Sequence, residues 1–190
     1  MVINMQMKTA TATAIKFTYK DYLLLPEDKR YEIIDGELFM APAPSTYHQD
    51  ISRDIEFILW NFVKENDLGK IYYAPCDVIL SKSDIVQPDI LFISKERIPK
   101  IVTEKNVRGA PDLIIEIISP SRISRDKVLK KKLYAKYGVK EYWIIDYRKE
   151  EIEVMVLGES GFKTVKKYRK DETLESPLIK GLRIDLREVF

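Results

Sequence analysis

Apolar and polar residues near the start of the chain follow a short helix pattern and then a strand pattern. The segment YEIIDGELFM predicts a β-hairpin, because Asp35-Gly36 is a favoured two-residue turn between two strand-like runs. Before it, FTYKDYLLLPEDK predicts a short helix with Thr18 as its N-cap and an end near Pro26. The chain therefore opens with a helical turn followed by a hairpin.

A long amphipathic helix is predicted next. The segment APAPST breaks the second strand of the hairpin, and Ser45 can cap a helix that runs to about Asn66. Its apolar residues recur at helical spacing and predict a stripe that faces a core: Ile51, Ile55, Leu59 and Phe62.

The middle of the chain predicts strands, a second helix and more strands. Three strands are predicted in IYYAPCDVIL, VQPDILFI and PDLIIEIIS, and the last two are nearly continuous in apolar character, as in strands covered on both faces. A helix follows from roughly Ser124 to Tyr137 and ends at Gly138. Further strands are predicted in EYWIIDY, EIEVMVL, FKTVKKY and LRIDL. This order predicts an α/β fold, a sandwich in which helices flank a mixed central β-sheet.

Length and composition predict one globular unit inside a reducing compartment. The chain has 190 residues, of which 45% are hydrophobic and 33% charged, which argues against disorder. We predict residues 1–17 as a poorly ordered leader and residues 18–190 as a single domain. The leader has no sustained apolar core, and no apolar run approaches the roughly 18 residues that a membrane span needs. A single cysteine, Cys76, suits a cytoplasmic location.

Cysteine and histidine are too scarce for a metal centre built from those residues. The chain has one of each, so a metal must be held mainly by oxygen, which favours Mg²⁺ or Mn²⁺. The net charge of +2 is too small to identify a nucleic-acid binder. The segment from Arg122 to Lys140, however, carries eight Lys or Arg residues against one acid, Asp126. Such a basic face can attract phosphate.

Two acidic residues lie within predicted apolar strands. Glu116 is enclosed in LIIEIIS, and Asp89 follows Pro88 at the start of DILFI. Buried carboxylates are costly unless they are paired or bind a metal. Carboxylates on adjacent strands could share one divalent cation, which would lower the pKa of a bound water and neutralise a phosphate. Alternatively, each carboxylate lies at a strand end, where it is hydrogen-bonded or solvated.

Several of these segments together resemble a known family. The segments are QPDILFI, PDLIIEIISPS and RDKVLKKKLYAKYGVKEYWIID, preceded by YEIIDGEL and His48. In this order and spacing they resemble the Uma-two (Uma2) family of restriction endonucleases, in the PD-(D/E)XK nuclease superfamily. The resemblance covers roughly Thr18 to Asp146. It implies a restriction-endonuclease-like core, two acidic metal ligands and phosphodiester hydrolysis that uses magnesium.

The resemblance assigns the two acids. Pro88-Asp89 matches the PD of the family pattern, and Glu116 matches its D/E position. A second PD is present at Pro111-Asp112, but Asp112 lies only four residues before Glu116 on the same predicted strand. Because the superfamily pattern places its acids on different strands, we take Asp89 and Glu116 as the metal ligands. We expect Asp112 at the entry of the strand.

The lysine of the pattern is missing from its usual place. Two residues after Glu116, on the same face of the strand, the pattern has lysine and this chain has Ile118. Some members supply the lysine from the following helix, and the resemblance implies Lys130. On a helical wheel, Lys130 lies at the flank of the packed side, which is formed by Leu129, Leu133 and Tyr137. The alternative is a surface lysine whose stem lies along apolar neighbours.

Two further residues are candidates for the site. His48 lies in the first turn of the long helix and could assist proton transfer or hold a phosphate, or it could simply pack or cap. Glu37, just after the hairpin turn, is a candidate third acid, or a charge on the exposed face of a strand.

Three functions fit these residues. The first is a magnesium- or manganese-dependent endonuclease that cuts DNA, with Asp89 and Glu116 on the metal and Lys130 on the water or the developing charge. The second is a catalytically inactive relative that serves as a nucleic-acid-binding or protein-interaction module, which Ile118 favours. The third is a hydrolase of another phosphate ester. By analogy with nucleases that cut duplex DNA, we expect a homodimer.

Overall fold

The structure is a computed structural model that describes residues 15–26, 28–41, 43–118 and 125–190, with only the backbone of residues 125–127. Most of the predicted leader therefore lies outside the described residues. Its last residue, Phe17, donates its amide hydrogen to the carbonyl oxygen of Gly36 at 2.8 Å. The described part of the chain contains no helix long and apolar enough to cross a membrane.

The described residues form four α-helices and thirteen strands. The helices are α1 (Tyr19–Tyr22), α2 (Thr46–Glu65), α3 (Ile98–Ile101) and α4 (Arg125–Tyr137), with a 3₁₀ turn at Leu186–Glu188. The strands are β1 (Arg30–Ile34), β2 (Glu37–Ala41), β3 (Gly69–Tyr73), β4 (Val78–Ser81), β5 (Asp84–Val86), β6 (Ile90–Ser94), β7 (Val107–Arg108), β8 (Leu113–Ile117), β9 (Glu141–Asp146), β10 (Glu151–Gly158), β11 (Gly161–Arg169), β12 (Thr173–Glu175) and β13 (Arg183–Asp185).

Mixed sheets confirm the predicted α/β class. The central sheet has six strands in the order β11-β10-β9-β8-β6-β3, and its neighbours are antiparallel except for the parallel pair β8 and β9. A second sheet has the order β2-β1-β5-β4-β7, in which only β4 and β7 are parallel. Strands β12 and β13 pair separately. The hairpin thus belongs to a second sheet, whereas the sequence predicted one.

Apolar clusters cover both faces of the central sheet. On one face, Ile51, Ile55 and Leu59 of α2 are fully buried against residues that include Ile115 and Trp143. On the other face, a second cluster joins the central sheet to α4 and the second sheet; its members include Ile114, Leu133, Tyr134, Ile34 and Val86. Because side chains alternate along a strand, Ile115 faces α2 while Ile114 and Glu116 face α4. The acid of β8 therefore points towards the helix that carries Lys130.

Two predicted strands divide at prolines. The segment IYYAPCDVIL forms β3 and β4, and VQPDILFI forms β5 and β6, with the members of each pair in different sheets. The breaks coincide with Pro75 and Pro88, which have no N–H to donate to a strand partner. The prediction of one strand in each segment was therefore wrong. As a consequence, Pro88 and Asp89 lie where the chain passes from the second sheet to the central sheet.

Local signals placed the hairpin and the helix starts correctly. Asp35 and Gly36 both have positive φ, at 50° and 75°, as a tight hairpin turn of this kind requires. Ser45 caps α2, since its Oγ accepts from the amide of His48 at 3.2 Å. Thr18 and Asp21 form a capping box at α1, but that helix ends at Tyr22 rather than near Pro26.

Candidate active site

Asp89 and Glu116 lie side by side at one end of the central sheet. Strands β6 and β8 are antiparallel, with Ile90 opposite Ile115, so the next pair along this register is Asp89 and Glu116. The Oδ2 atom of Asp89 accepts a hydrogen bond from the amide of Ile117 at 2.8 Å. The two acids that the sequence placed on neighbouring strands are thus cross-strand neighbours.

Glu116 has two side-chain partners on α4. Its Oε1 accepts from the hydroxyl of Tyr134 at 2.6 Å and from Nζ of Lys130 at 3.0 Å, and its Oε2 lies 3.2 Å from the same Nζ. Burial raises the pKa of Glu116 to about 7. Lys130 and the Tyr134 hydrogen bond act against this rise, while the charges of Asp89 and Glu32 add to it. Glu116 therefore holds a proton more readily than a carboxyl group in water does.

Lys130 reaches from α4 into a cluster of acids. Its Nζ lies 2.9 Å from Oε1 of Glu32 as well as 3.0 Å from Oε1 of Glu116. The side chain of Lys130 is 13% exposed, so it is not a surface lysine. Burial lowers the pKa of Lys130, but the charges of Glu116 and Glu32 outweigh burial and hold that pKa above its ordinary value. Lys130 is therefore an ammonium at neutral pH.

Ile118 and Lys130 occupy different environments near Glu116. Ile118 packs against the second apolar cluster, beyond the end of β8. Lys130 lies fourteen residues from Glu116 in sequence and brings its ammonium to that carboxylate from the facing helix. Helix α4 therefore brings a positive charge to Glu116, and its equivalence to the lysine of the family pattern stays a prediction.

His48 joins the site from the opposite side of the sheet. Its Nε2 lies 3.3 Å from Oδ2 of Asp89, and the two side chains are 13% and 12% exposed. Burial lowers the pKa of His48, but the hydrogen bond and the charge of Asp89 raise it more, so the pKa lies above its ordinary value. The first turn of α2 thus reaches around the end of the sheet to Asp89. We refer to Asp89, Glu116, Lys130, Glu32 and His48 as the acidic recess.

Glu32 is a member of the acidic recess that the sequence did not reveal. It lies in β1, is 7% exposed, and its Oε1 also accepts from the amide of Gln87 at 2.9 Å. The candidate third acid from the sequence, Glu37, lies exposed at the start of β2, opposite Ile34. The third carboxylate of the site is therefore Glu32, which contacts Lys130. A role for Glu37 stays a prediction.

Tyr134 was also missed, although the sequence contains a signal for it. It follows Lys130 by four residues on a predicted helix, so the two side chains share a face. The side chain of Tyr134 is fully buried. Burial, together with the charges of Glu116 and Glu32, raises its pKa well above the ordinary value. Tyr134 remains a neutral hydroxyl that donates to Glu116.

A polar network borders the acidic recess on the side of α1. The side-chain amide of Gln87 donates to Oδ1 of Asp77 at 2.8 Å and to the hydroxyl of Tyr22 at 3.1 Å. Its carbonyl oxygen accepts from Nε of Arg30 at 3.0 Å. Because the backbone of Gln87 also holds Glu32, this network fixes the position of one recess carboxylate.

Asp112 lies at the entry of β8 and has structural partners. Its side chain is 1% exposed and lies within 3.0 Å of Arg97 and 2.8 Å of Lys140, while the amide of Ser94 donates to its Oδ2 at 2.9 Å. Burial raises the pKa of Asp112, but these three partners lower it below the ordinary value. The position agrees with the expectation from the sequence.

Several lysines of the basic segment between Arg122 and Lys140 form ion pairs with acids of the fold. Lys130 pairs with Glu116 and Glu32, Lys136 lies 3.3 Å from Asp84, and Lys140 lies 2.8 Å from Asp112. These lysines neutralise buried acids. The total of eight basic residues therefore overstates the charge that this segment offers to phosphate.

The acidic recess contains suitable donors for a hard cation. Two carboxylates, from Glu116 and Glu32, contact the ammonium of Lys130, and Asp89 is the cross-strand neighbour of Glu116. Carboxylate oxygens are the ligands that Mg²⁺ and Mn²⁺ prefer, and Mg²⁺ keeps several of its waters. Among the residues that the structure describes, no group of three or more His, Cys, Asp or Glu side chains is spaced to hold a metal. That Asp89 and Glu116 hold a metal therefore stays a prediction.

Comparisons with known proteins agree with this architecture. A family model described as "Uma2: Putative restriction endonuclease" matches residues 19–187. A crystal structure from Anabaena variabilis ATCC 29413, described as a putative nuclease belonging to DUF820, is 22% identical. It aligns with a TM-score of 0.76 over 92% of this chain and 97% of that chain. A search among curated proteins finds no match.

Proposed function

The chain belongs to the Uma2 family, and from this we propose that it is a metal-dependent endonuclease that hydrolyses phosphodiester bonds of DNA. The observation that carries the proposal is the contact between Lys130 and Glu116, at 3.0 Å, beside Asp89. It combines two neighbouring acids with a fixed ammonium in a recess of low exposure. Such a set can bind a phosphate and stabilise the charge that develops on it.

We assign a role to each residue of the acidic recess. Asp89 and Glu116 would hold Mg²⁺ or Mn²⁺, which when bound neutralises phosphate charge and lowers the pKa of a bound water. Lys130, fixed by Glu32, would donate to a phosphate oxygen or orient the attacking water. His48, in contact with Asp89, would hold a phosphate or carry a proton.

The remaining aspects of the proposal concern substrate and setting. We propose DNA as the nucleic acid, residues 18–190 as one domain, a homodimer as the working state, and the cytoplasm as the location. The homodimer follows by analogy with nucleases that cut both strands of a duplex. Size-exclusion chromatography with light scattering measures the oligomeric state directly.

A cleavage assay tests the catalytic assignment. The full chain is incubated with DNA in the presence of Mg²⁺ or Mn²⁺, beside Asp89→Asn and Glu116→Gln. Each substitution keeps the size of the side chain and removes its charge. We expect cleavage by the wild type and a loss of at least about 100-fold in each variant, the scale seen when a transition-state contact is removed.

A matched control separates chemistry from folding. Asp84 is also buried, at 1% exposure, and lies beside a lysine of α4, but it belongs to the second sheet outside the acidic recess. Asp84→Asn should retain cleavage per folded molecule. Equal cleavage in wild type, Asp89→Asn and Glu116→Gln would show that these acids are not the metal ligands.

A second candidate is a catalytically inactive nucleic-acid-binding module. It is favoured by the contacts of Lys130, which already neutralise Glu116 and Glu32 within the described structure. For such a module we expect binding of nucleic acid that is unchanged by Mg²⁺ or Mn²⁺ and no cleavage under any condition. The same assay, with binding measured in parallel, distinguishes the two functions.

A further inference from the structure

Three tyrosines lie at the end of the central sheet that carries the acidic recess. Tyr73 is the last residue of β3, Tyr147 follows the last residue of β9, and Tyr47 precedes His48 in α2. Tyr73 is 61% exposed and Tyr47 is 41% exposed. Large aromatic side chains usually bury most of their area, so the exposure of Tyr73 and Tyr47 requires a reason. Tyr147 is half-buried against the apolar cluster that includes α2.

Tyr73 flanks Asp89 on one side. It pairs with Ile90 in the register of β3 and β6, and the amide of the next residue, Ala74, donates to the carbonyl oxygen of Asp89 at 2.9 Å. Neighbouring strands lie about 4.8 Å apart. The backbone of Tyr73 is therefore about one strand spacing from that of the recess acid.

Tyr47 and Tyr147 flank Asp89 on the other side. Their ring centroids are 5.4 Å apart, with an angle of 85° between the ring planes. Strand β9 is separated from β6 by β8, so Tyr147 lies about two strand spacings, or about 10 Å, to the side of Asp89. Because Glu116 pairs with Ile144, Tyr147 also lies three residues, or about 10 Å, further out from the end of the sheet. In the order of the strands, Asp89 at the start of β6 thus lies between Tyr73 on β3 and Tyr147 after β9.

Charge next to the second group suits a nucleic-acid strand. Arg148 and Lys149 follow Tyr147 directly, and both are exposed. Lys149 lies 3.4 Å from Asp146. Bases stack on exposed aromatic rings while phosphates lie against basic side chains, as in proteins that bind single strands. In an intact duplex the faces of the bases are covered by their neighbours.

We propose that Tyr47, Tyr73 and Tyr147 form an aromatic rim that stacks on unpaired bases on either side of the phosphate held in the acidic recess. The preferred substrate is then a single-stranded nucleic acid or an unpaired segment, rather than an intact duplex. For such a substrate the analogy with nucleases that cut both strands of a duplex does not require a homodimer. This inference rests on the proposed function, because it takes the recess as the site that receives the phosphate.

Binding without metal tests the rim independently of cleavage. The full chain is titrated, in EDTA, against a fluorescein-labelled single-stranded thymidine oligonucleotide, and anisotropy is measured. The same titration uses a strand of equal length in which abasic sites replace the bases, and a duplex of equal length. We expect the base-bearing single strand to bind the most tightly, because only it can stack on the rings.

Substitutions by Leu and by Phe at the same position measure the contribution of each ring to binding. Tyr47→Leu and Tyr73→Leu each remove a ring and should raise the Kd for the base-bearing strand about 5- to 100-fold. Tyr47→Phe and Tyr73→Phe keep a ring and should stay within about twofold of the wild type. Trp60 is the matched control, because it is also 41% exposed on α2 but lies thirteen residues, or about 20 Å, from Tyr47. Trp60→Leu should therefore leave the Kd for the base-bearing strand unchanged.

Three outcomes would contradict the proposed aromatic rim. They are equal affinity for the base-bearing and abasic strands, tighter binding of the duplex, and a Kd in Tyr47→Leu and Tyr73→Leu that matches Trp60→Leu. Thermal unfolding of each variant verifies that it is folded. Ring-dependent binding without cleavage by the wild type would refute the nuclease but support the rim. Cleavage that depends on Asp89 without ring-dependent binding would support the nuclease and refute the rim.

Discussion

At the level of single residues, the charge of Lys130 serves the fold as well as the proposed chemistry. Glu32 and Glu116, its two partners, have side chains that are 9% and 11% exposed. Two buried carboxylates without a counter-charge repel one another and lose the solvation they would have in water. Lys130 therefore stabilises the native state before any substrate is present.

Removing this ammonium should destabilise the protein. We expect Lys130→Met to lower the free energy of unfolding by about 3–5 kcal/mol at neutral pH, as when one partner of a buried ion pair is lost. Urea denaturation measures the change. The double variant Lys130→Met/Glu32→Gln should recover part of it, because one of the stranded charges is then absent.

Another lysine of the same helix provides the comparison. Lys136 pairs with Asp84 at 3.3 Å, but its side chain is 59% exposed. Lys136→Met should therefore cost under about 1 kcal/mol. Equal losses of unfolding free energy in Lys130→Met and Lys136→Met would mean that Lys130 contributes no more to stability than a surface charge.

The sequence predicted those site residues whose positions follow from local pattern or from the family resemblance. The structure brings Asp89, Glu116, Lys130 and His48 together, although their roles stay predictions. Glu32 was missed because its burial depends on the second sheet, which the local sequence pattern does not predict. Its neighbours in RYEIID are typical of a half-exposed strand, where a glutamate is ordinary.

At the level of elements, the hairpin and α2 were predictable, and the division of the strands was not. Turn residues and caps act over a few positions, so Asp35-Gly36 and Ser45 fix their elements locally. Strand pairing, in contrast, depends on distant partners. Hydrophobic pattern continues through Pro75 and Pro88 while the chain changes sheet at each. The two prolines were the available signal, and the acidic recess lies at one of these crossings.

The start of β3 depends on a glycine. Gly69 has φ of 155°, and a Cβ there would lie 2.1 Å from the carbonyl oxygen of Ile93, which belongs to the backbone of β6 and cannot move aside easily. Gly161 also has positive φ, at 106°, but a Cβ there meets nothing within 4 Å. We expect Gly69→Ala to cost about 1–3 kcal/mol more than Gly161→Ala.

Chemical denaturation of the two glycine variants measures this difference. Both substitutions add one methyl group at positive φ, so the shared conformational cost cancels in the comparison. Equal stability of the two variants would show that β3 and β6 do not approach each other this closely at Gly69.

At the level of the whole molecule, buried carboxylates make stability depend on pH. Burial raises the pKa of Asp84. Hydrogen bonds from Tyr137, Asp35 and Ser81, together with the charge of Lys136, have the larger opposite effect, so the pKa lies below its ordinary value of 3.8. Asp112 is lowered in the same direction. The stability they contribute is complete above the ordinary pKa and is lost as pH falls through the lowered value.

Denaturation between about pH 7 and about pH 3 tests this dependence. We expect Asp84→Asn and Asp112→Asn to be less stable than the wild type at neutral pH and to lose less stability on acidification. Asp50→Asn, at an exposed acid, should parallel the wild type. A free energy of unfolding that changes equally with pH in all variants would contradict the lowered pKa values of Asp84 and Asp112.

The same denaturation experiment tests the number of domains. Circular dichroism and tryptophan fluorescence should give one coincident transition if residues 18–190 are a single domain.

The link between Glu32 and Lys130 also has a consequence for protein synthesis. The two residues are 98 positions apart, and chains grow at about 5–20 residues per second, so the lysine is added about 5–20 seconds after the glutamate. During that interval Asp89 and Glu116 are added in turn, and both precede the lysine whose ammonium pairs with Glu32 and Glu116. A ribosome-bound fragment that stops before α4 therefore cannot complete the site, and the proposed activity begins only after most of the chain has been made.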